Sequence, residues 1–419
     1  MAIVGNRLFS NDMAEKLNTS LANINNTLEV IAGQNMSKLP TDMRDVQQIV
    51  RRGMAKKVFT YGDKFIVPWV DKNNDNKEYM IEHVLLGFRD VTLPTGEIVK
   101  DAPCIQWRHG IPFDMIFDEQ EAFYYAEHEL PAGTYYVTSG VTWGEKVKAG
   151  DVCCFTLAKP VPAGGHIVGM REMYSKGLCG TQISTYAKAD DWTPIETVQP
   201  VAVANGTNLG VLQEAENGNL NCLKRAGHGS GRWGHSFERD WLNTDKKVEF
   251  KAHTKWHRSP SSPAMRDKLG FMSGYSADFL NCTGKVKIRT ALNTVSESSE
   301  GQHEDTYDTF FLLSLEEAYI KPYTSGIEGT YFDYWKRAVN TPNPAPLYQT
   351  GVYPVLTGIE ASNTAQYNRL RSAHRGVTYS AFYVNPSGYV YDSYGFNANR
   401  CAPDCIIVSL KKPARSVGG

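Results

Sequence analysis

Three segments carry residue types that could do chemistry. Gly227-His228-Gly229-Ser230-Gly231-Arg232-Trp233-Gly234-His235 has the glycine density of a phosphate cradle, in which backbone amides would receive an anion. It lacks the Gly-Lys-Ser/Thr ending and no apolar strand runs into it, so a turned loop is expected. His253 and His257 stand at i and i+4, the zinc-binding half of His-Glu-x-x-His, without the catalytic glutamate between them. Gln302-His303-Glu304-Asp305-Thr306-Tyr307-Asp308 is rich in oxygen ligands. It has neither the Asp/Asn alternation nor the glycine of a calcium loop, and reads as a solvated loop at which calcium stays open. No Gly-x-Ser-x-Gly elbow anchors serine hydrolysis. A carboxylate pair for glycoside hydrolysis stays open among the 45 acids.

The elements that must position such residues belong to a folded globular chain. Of 419 residues, 42% are apolar and 21% charged, which excludes disorder and fibre repeats for most of the length. Lys+Arg total 44 against Asp+Glu 45, so no overall field steers the molecule toward nucleic acid or an anionic membrane, and neither is expected as a partner. Eight cysteines at 104, 153, 154, 179, 222, 282, 401 and 405 show no C-x-x-C spacing and read as mostly free thiols. Residues 1–10 have no basic region followed by an apolar one, and no stretch approaches 18 apolar residues. The expectation is a chain made in a reducing cytosol that leaves by lysis or in a particle.

Met13, Leu17, Leu21, Ile24, Leu28 and Ile31 form a helical apolar stripe, and a second helix is expected over 41–54. Residues 1–56 therefore read as a helical attachment or oligomerisation segment, with packing on the chain's own body as the alternative. From Lys57 the period shortens to strands at Phe59 to Tyr61, Phe65 to Trp69, Glu78 to Leu86, Ala122 to Tyr125, Gly133 to Val137 and Val152 to Leu157. The reading is a β-sandwich-like domain over 57–204, a third domain over 205–410 and a basic tail over 411–419. The fold class expected is α+β, mostly β.

The third domain carries ordered motifs: W-L-N (Trp241 to Asn243), G-F-x-x-G (Gly270 to Gly274), F-L-L-S (Phe311 to Ser314) followed by Glu316 and Glu317, E-G-x-x-x-x-Y (Glu328 to Tyr334) and L-R-S (Leu370 to Ser372). Their order resembles a family of domains common in phages and prophages of gut bacteria. The resemblance covers about 219–410. It implies the C-type-lectin-type fold shared with formylglycine-generating enzymes and with the variable proteins of diversity-generating retroelements, used in tail fibres, head fibres or adhesins. Asn368-Arg369 stands where an aromatic precedes L-R-S in the family, and Asn399-Arg400-Cys401-Ala402-Pro403 replaces its usual closure. A formylglycine-generating-type oxidase would bind copper through a cysteine pair, for which Cys401 and Cys405 are the nearby candidates.

Residues 367–396 hold six tyrosines, four serines and one acid, Asp392, the menu of a paratope. Ala381 to Val384 and Tyr389 to Asp392 flank Asn385-Pro386-Ser387-Gly388, which reads as a hairpin turn. Period 2 puts Phe382 and Val384 on one face and Tyr383 on the other. The expected ligand-binding residues are Tyr379, Ser380, Tyr383, Tyr389, Tyr391, Asp392, Ser393, Tyr394, Asn397 and Asn399, the types that retroelement diversification leaves at substituted positions. Arg371 or Arg375 is expected to add hydrogen bonds. The expectation is thus a non-enzymatic virion surface protein, a homotrimeric fibre or spike that contacts other virion proteins and binds a host receptor protein or glycan without a cofactor. The alternatives are an enzyme on the formylglycine-generating scaffold, a glycan depolymerase, and a shell or decoration protein.

Overall fold

The computed structural model describes the strands at 2–4 and 7–9 and residues 43–119, 124–138, 152–169, 182–189, 191–202, 223–225, 231–254, 257–294, 301–320, 326–338, 367–376, 379–386 and 390–408. Over these residues the fold is α+β and mostly β, with short helices between several sheets. Strands β1 (Ala2–Val4) and β2 (Arg7–Phe9) pair antiparallel. The apolar stripe at 13–31 and the tail at 411–419 lie outside the described residues. The second expected helix is α1 (Met43–Arg51), which buries Met43, Val46 and Val50 at spacings of three and four on the chain's own body. Arg44 reaches Asp278 at 2.5 Å and Gln47 donates to the Asn281 carbonyl at 2.8 Å.

The short helix α2 (Ala55–Val58) leads into β3 (Lys64–Asp71), β4 (Lys77–Thr92) and β5 (Ile98–Trp107). The strand expected at Phe59 to Tyr61 is absent. Phe59 caps α2 instead, and its ring turns edge-on to Phe65 at 5.5 Å. Exposed and buried residues alternate along most of β3, as a half-buried strand requires. A smaller unit follows: β6 (Tyr124–Ala126), β7 (Gly133–Thr138), β8 (Val152–Leu157), β9 (His166–Val168), β10 (Ile183–Tyr186), β11 (Pro194–Val198), β12 (Val201–Ala202) and β13 (Leu223–Arg225). Its sheets, β11-β10-β9-β6-β13 and β12-β8-β7, share a core of Ala126, Phe155, Leu157, Ile167 and Ile183.

The part that follows includes α3 (Phe237–Leu242), β14 (Val286–Ala291), β15 (His303–Asp308), β16 (Phe310–Phe311), β17 (Asn368–Ala373), β18 (Ser380–Val384), β19 (Val390–Tyr394) and β20 (Asp404–Ile406), with further short helices between them. They do not stand apart from the strands at 64–107. β20 pairs antiparallel with β5, Cys405 opposite Ile105, and the sheet runs β16-β20-β5-β4-β3. One core holds Trp69 and Trp107 together with Trp241, Phe271 and Phe310. The division expected between 204 and 205 therefore runs through a shared sheet and core. The physical reason is the second edge of β5: left bare, it would bury or expose a row of unpaired amides and carbonyls, and the C-terminal strand satisfies them.

Two motif glycines mark how closely this core is packed. A Cβ on Gly274 would fall on the Trp69 indole nitrogen, and one on Gly270 on the Thr244 carbonyl oxygen. The Trp69 indole in turn donates to the Phe271 carbonyl at 3.0 Å. Gly274→Ala should destabilise the protein by about 1–3 kcal/mol, the usual cost of overpacking. Gly376→Ala, where the nearest atom stands at 3.5 Å, should change stability by less than about 0.5 kcal/mol. Urea unfolding of the two variants checks the contrast; equal effects would mean that the Trp69 contact is not tight.

Candidate functional site

The motifs meet in a buried polar network. Ser314 and Glu317 form a capping box: the Ser314 hydroxyl accepts from the Glu317 amide at 3.1 Å, and Glu317 Oε2 accepts from the Ser314 amide at 3.0 Å. The turn closes as a Schellman motif, with Tyr319 at φ 60° and the Ile320 amide bonded to the Leu315 carbonyl at 2.8 Å. That geometry aims the Glu317 carboxylate at two guanidiniums, Arg371 through Oε2 and Arg89 through Oε1 at 2.5 Å. Burial alone would raise Glu317; Arg371 and Arg89 outweigh it and hold the carboxyl at about 2.

Arg371 is fully buried. It also donates to the Leu312 carbonyl at 2.5 Å, the Arg289 carbonyl at 3.2 Å and the Thr290 hydroxyl at 3.2 Å, so four of its five donors are placed. Ser372 accepts from the Leu315 amide at 3.0 Å and donates to Glu328 at 2.5 Å. Burial pushes Glu328 up to about 7, against the pull of Arg371 and its own hydrogen bonds. Glu316 accepts the Ile327 and Glu328 amides at 3.0 and 2.6 Å. Asn243 of the W-L-N motif accepts the Thr309 and Phe310 amides, and Trp241 donates to the Leu269 carbonyl. Arg371, expected to reach a ligand, is thus internal, because its charge is needed by Glu317.

Above this network lies the sheet β17-β18-β19. Its register places Tyr383 opposite Tyr391 and Phe382 opposite Asp392. Phe382 and Val384 are buried, Tyr383 is half-buried and Tyr391 is 52% exposed. Tyr367, 44% exposed, completes a row: its ring stands 5.4 Å from Tyr383, which stands 6.3 Å from Tyr391. Burial, then Tyr367, Asp392 and Tyr391, raise the Tyr383 phenol, so it stays protonated and able to donate. Beneath it Arg369, opposite Tyr383 on β17, lies 4.0 Å from Glu238, which burial lifts to about 7. Tyr367 was not among the expected ligand residues; it lies 16 residues upstream of Tyr383, and only the β17 to β18 pairing brings the two together.

The other expected residues separate. Ser393 shares the Tyr391 face, and its hydroxyl accepts from Asn397 at 2.8 Å. Asp392 and Asn397 are exposed. Tyr394 is half-buried on the opposite face, between Tyr379 at 5.3 Å and Phe396 at 5.2 Å. Ser380 is buried and cannot touch a ligand: its carbonyl takes the His374 amide, and Gly231 packs so closely that a Cβ there would stand 2.5 Å from it. Asn399 is tied by its backbone to Met115 in both directions. Tyr389 lies outside the described residues. The two departures from the family pattern meet in space, Asn368 accepting the Ala402 amide at 3.1 Å and the Arg369 amide bonding the Arg400 carbonyl at 2.9 Å.

Over the described residues the chemical candidates are absorbed by packing; residues 227–230 of the glycine-rich segment lie outside the described residues. The Gly234 amide is spent on Glu304, which also takes Arg232. The acidic segment expected as a solvated loop is strand β15, because cations meet its carboxylates: Arg232 at Glu304, Arg289 and Lys287 at Asp305, and Arg239 at Asp308. His257 accepts the His253 amide at Nδ1 and faces Asp118 through Nε2 at 3.1 Å, which occupies both ring nitrogens. His235 and His253 stack at 4.1 Å, and burial together with Arg232 lowers His235 to about 3. Among the described residues no group of three or more His, Cys, Asp or Glu is placed to hold a metal. Burial pushes the Cys401 and Cys405 thiols well up, the opposite of what a thiolate ligand needs.

These features define a mostly β body in which internal motifs brace an exposed aromatic hairpin. A family model described as Domain of unknown function (DUF6273) matches residues 211–409, the part that carries every one of those motifs. No curated protein and no solved structure matches the chain.

Arg371→Met, which takes from the buried Glu317 carboxylate one of its two cations and leaves it Arg89 alone, should cost about 3–5 kcal/mol, and adding Glu317→Gln should recover part of it. Chemical unfolding of single and double variants reads this; strict additivity would break the assigned coupling. Glu328 holds its proton more tightly folded than unfolded, so its contribution is complete below pH 4.5 and is lost as pH rises through about 7. Glu328→Gln should therefore reduce the fall in stability between pH 5 and pH 8 by about 1–3 kcal/mol. An unchanged pH slope would show that Glu328 is ionised in the fold.

Proposed function

We propose that the chain is a binding protein of a phage particle, a fibre or spike component that attaches to a host-surface receptor or glycan through the tyrosine face of β17-β18-β19. The observation that carries the reading is the row Tyr367, Tyr383 and Tyr391, aromatic rings left on one face of a hairpin whose other face buries Phe382 and Val384. Tyrosine offers a large amphipathic contact with few rotatable bonds, and its hydroxyl adds a hydrogen bond. Ser393 and Asn397 supply polar groups on the same face, and Asp392 stands exposed on the other face of β19. The order of the internal motifs, similar to domains of phages and prophages, supports the particle assignment and a C-type-lectin-like fold for the motif-bearing part. Weak single sites would be amplified by oligomeric display, for which a trimer is the proposed form.

Tyr383→Ala combined with Tyr391→Ala should lower attachment of the purified protein to host cells, or to its ligand on a glycan array, by at least about tenfold, since each ring is worth on the order of 1 kcal/mol or more in such contacts. The melting temperature should move by less than about 3 °C. Loss of folding in step with attachment would assign both rings to the core and remove the basis for the binding face. Mass spectrometry of purified virions tests the particle assignment: absence from the particle overturns it.

A further inference from the structure

A second surface is separate in chemistry from the tyrosine face. A groove of about 500 Å3 lies between residues 88–92 of β4, residues 287–289 of β14 and the segment 328–330. Three cations line it, Arg89, Lys287 and Arg289. The acids on its walls are each answered from elsewhere. Lys100 meets Asp90 at 2.5 Å, buried Arg371 meets Glu317, and burial raises Glu328 to about 7, so it carries only part of a charge at neutral pH. Asp305, opposite Arg289 on β15, is one carboxylate shared by Arg289 at 2.8 Å and Lys287 at 3.4 Å. Around the groove Arg89, Lys100, Lys287, Arg289 and Arg371 thus face Asp90, Asp305, Glu317 and the partly ionised Glu328, a small local positive excess in a chain whose formal net charge is −1.

The cations are presented for contact. Lys287 and Arg289, two residues apart, share the outer face of β14, while Val286 and Ile288 point into the core. The Arg289 guanidinium is held by both oxygens of Asp305 and so is oriented before any ligand arrives. Tyr307, 36% exposed, sits opposite Lys287 on that same face. Cations lining a groove large enough for about one or two sugar units, with a partly exposed tyrosine on the neighbouring strand opposite Lys287, suit a ring that carries an anionic group. A nucleic acid strand would call for a longer basic track and a basic chain.

We propose that this groove binds an acidic glycan, a polysaccharide whose rings carry carboxylate or sulfate groups, with Arg289 and Lys287 holding the anion and Tyr307 facing the ring. The test is binding of fluorescent oligogalacturonate and of a heparin oligosaccharide to the full chain, with neutral dextran and single-stranded DNA as comparisons. At least one acidic oligosaccharide should bind at least about tenfold more tightly than dextran and than DNA, and weaken severalfold when salt is raised from about 0.05 to 0.3 M. Oligogalacturonate preferred identifies carboxylate as the anion, heparin preferred sulfate. Lys287→Gln with Arg289→Gln should remove at least about tenfold of that affinity. Asp305→Asn, which frees two cations from their shared acid, should raise it severalfold, an effect that partial unfolding does not mimic. The Tyr383→Ala, Tyr391→Ala protein should bind as the unaltered one does, so this result and the tyrosine-face result stand or fall separately. Dextran or DNA binding equal to that of both acidic sugars, no loss in the double charge variant, or weaker binding by Asp305→Asn would overturn the proposal.

Discussion

Arg371 and Glu317 are a full positive and a full negative charge, both removed from water. Charges so placed are tolerated only when paired and hydrogen-bonded, because each alone would lose several kcal/mol of hydration. Three more of the guanidinium's donors go to the carbonyls of Leu312 and Arg289 and the hydroxyl of Thr290, and the carboxylate also accepts from Arg89 and the Ser314 amide. One ion pair therefore holds four stretches of chain, around residues 89, 289, 314 and 371, in one mutual arrangement. Replacing it by apolar groups of equal volume need not lower stability. Its effect is on specificity: any other register of β17 leaves a charge in the core without a partner.

That constraint divides the molecule into an inside and an outside with different rules. Residues of the recurrent motifs look polar in sequence, yet Glu317, Glu328, Arg371 and Ser372 are all buried, and their atoms are spent on one another or on nearby backbone. Nothing in the tyrosine row takes part in that network. The outer positions of β18 and β19 can change without stranding a buried charge or amide, while the register that aims them stays set from below. Such an arrangement suits a surface whose recognition residues vary on a fixed frame.

Local pattern made several elements legible. The hairpin of β18 and β19, helix α1 and strands β3, β4 and β8 follow from period 2, period 3.6 and turn residues, all properties of contiguous sequence. What was not legible depends on partners far along the chain. Nothing in residues 98–107 announces that 404–406 will pair with them, so a division at 204/205 follows the change in composition and not the edge of the sheet. The acidic run at 303–308 looks solvated until Arg232, Arg239, Lys287 and Arg289 are brought opposite it. Ser380 has the composition of a binding residue, and only the approach of Gly231 shows it to be covered. Arg371 misleads for the same reason, since a lone arginine in sequence gives no sign of the carboxylate that will need it.

The same guanidinium links the two surfaces. Arg371 lies on β17, beside the hairpin that carries Tyr383 and Tyr391, and it donates to the backbone carbonyl of Arg289, whose side chain lines the charged groove. Both faces are thereby attached to one rigid internal support, so little conformational freedom remains to be lost when either engages a ligand. The faces differ in the forces available to them: rings and hydroxyls with weak dependence on salt at one, oriented cations with strong dependence at the other. A chain with almost no net charge has little long-range attraction for a charged surface. On the proposed reading its selectivity comes from what these two patches present at contact, and the buried pair ties the backbone of both together.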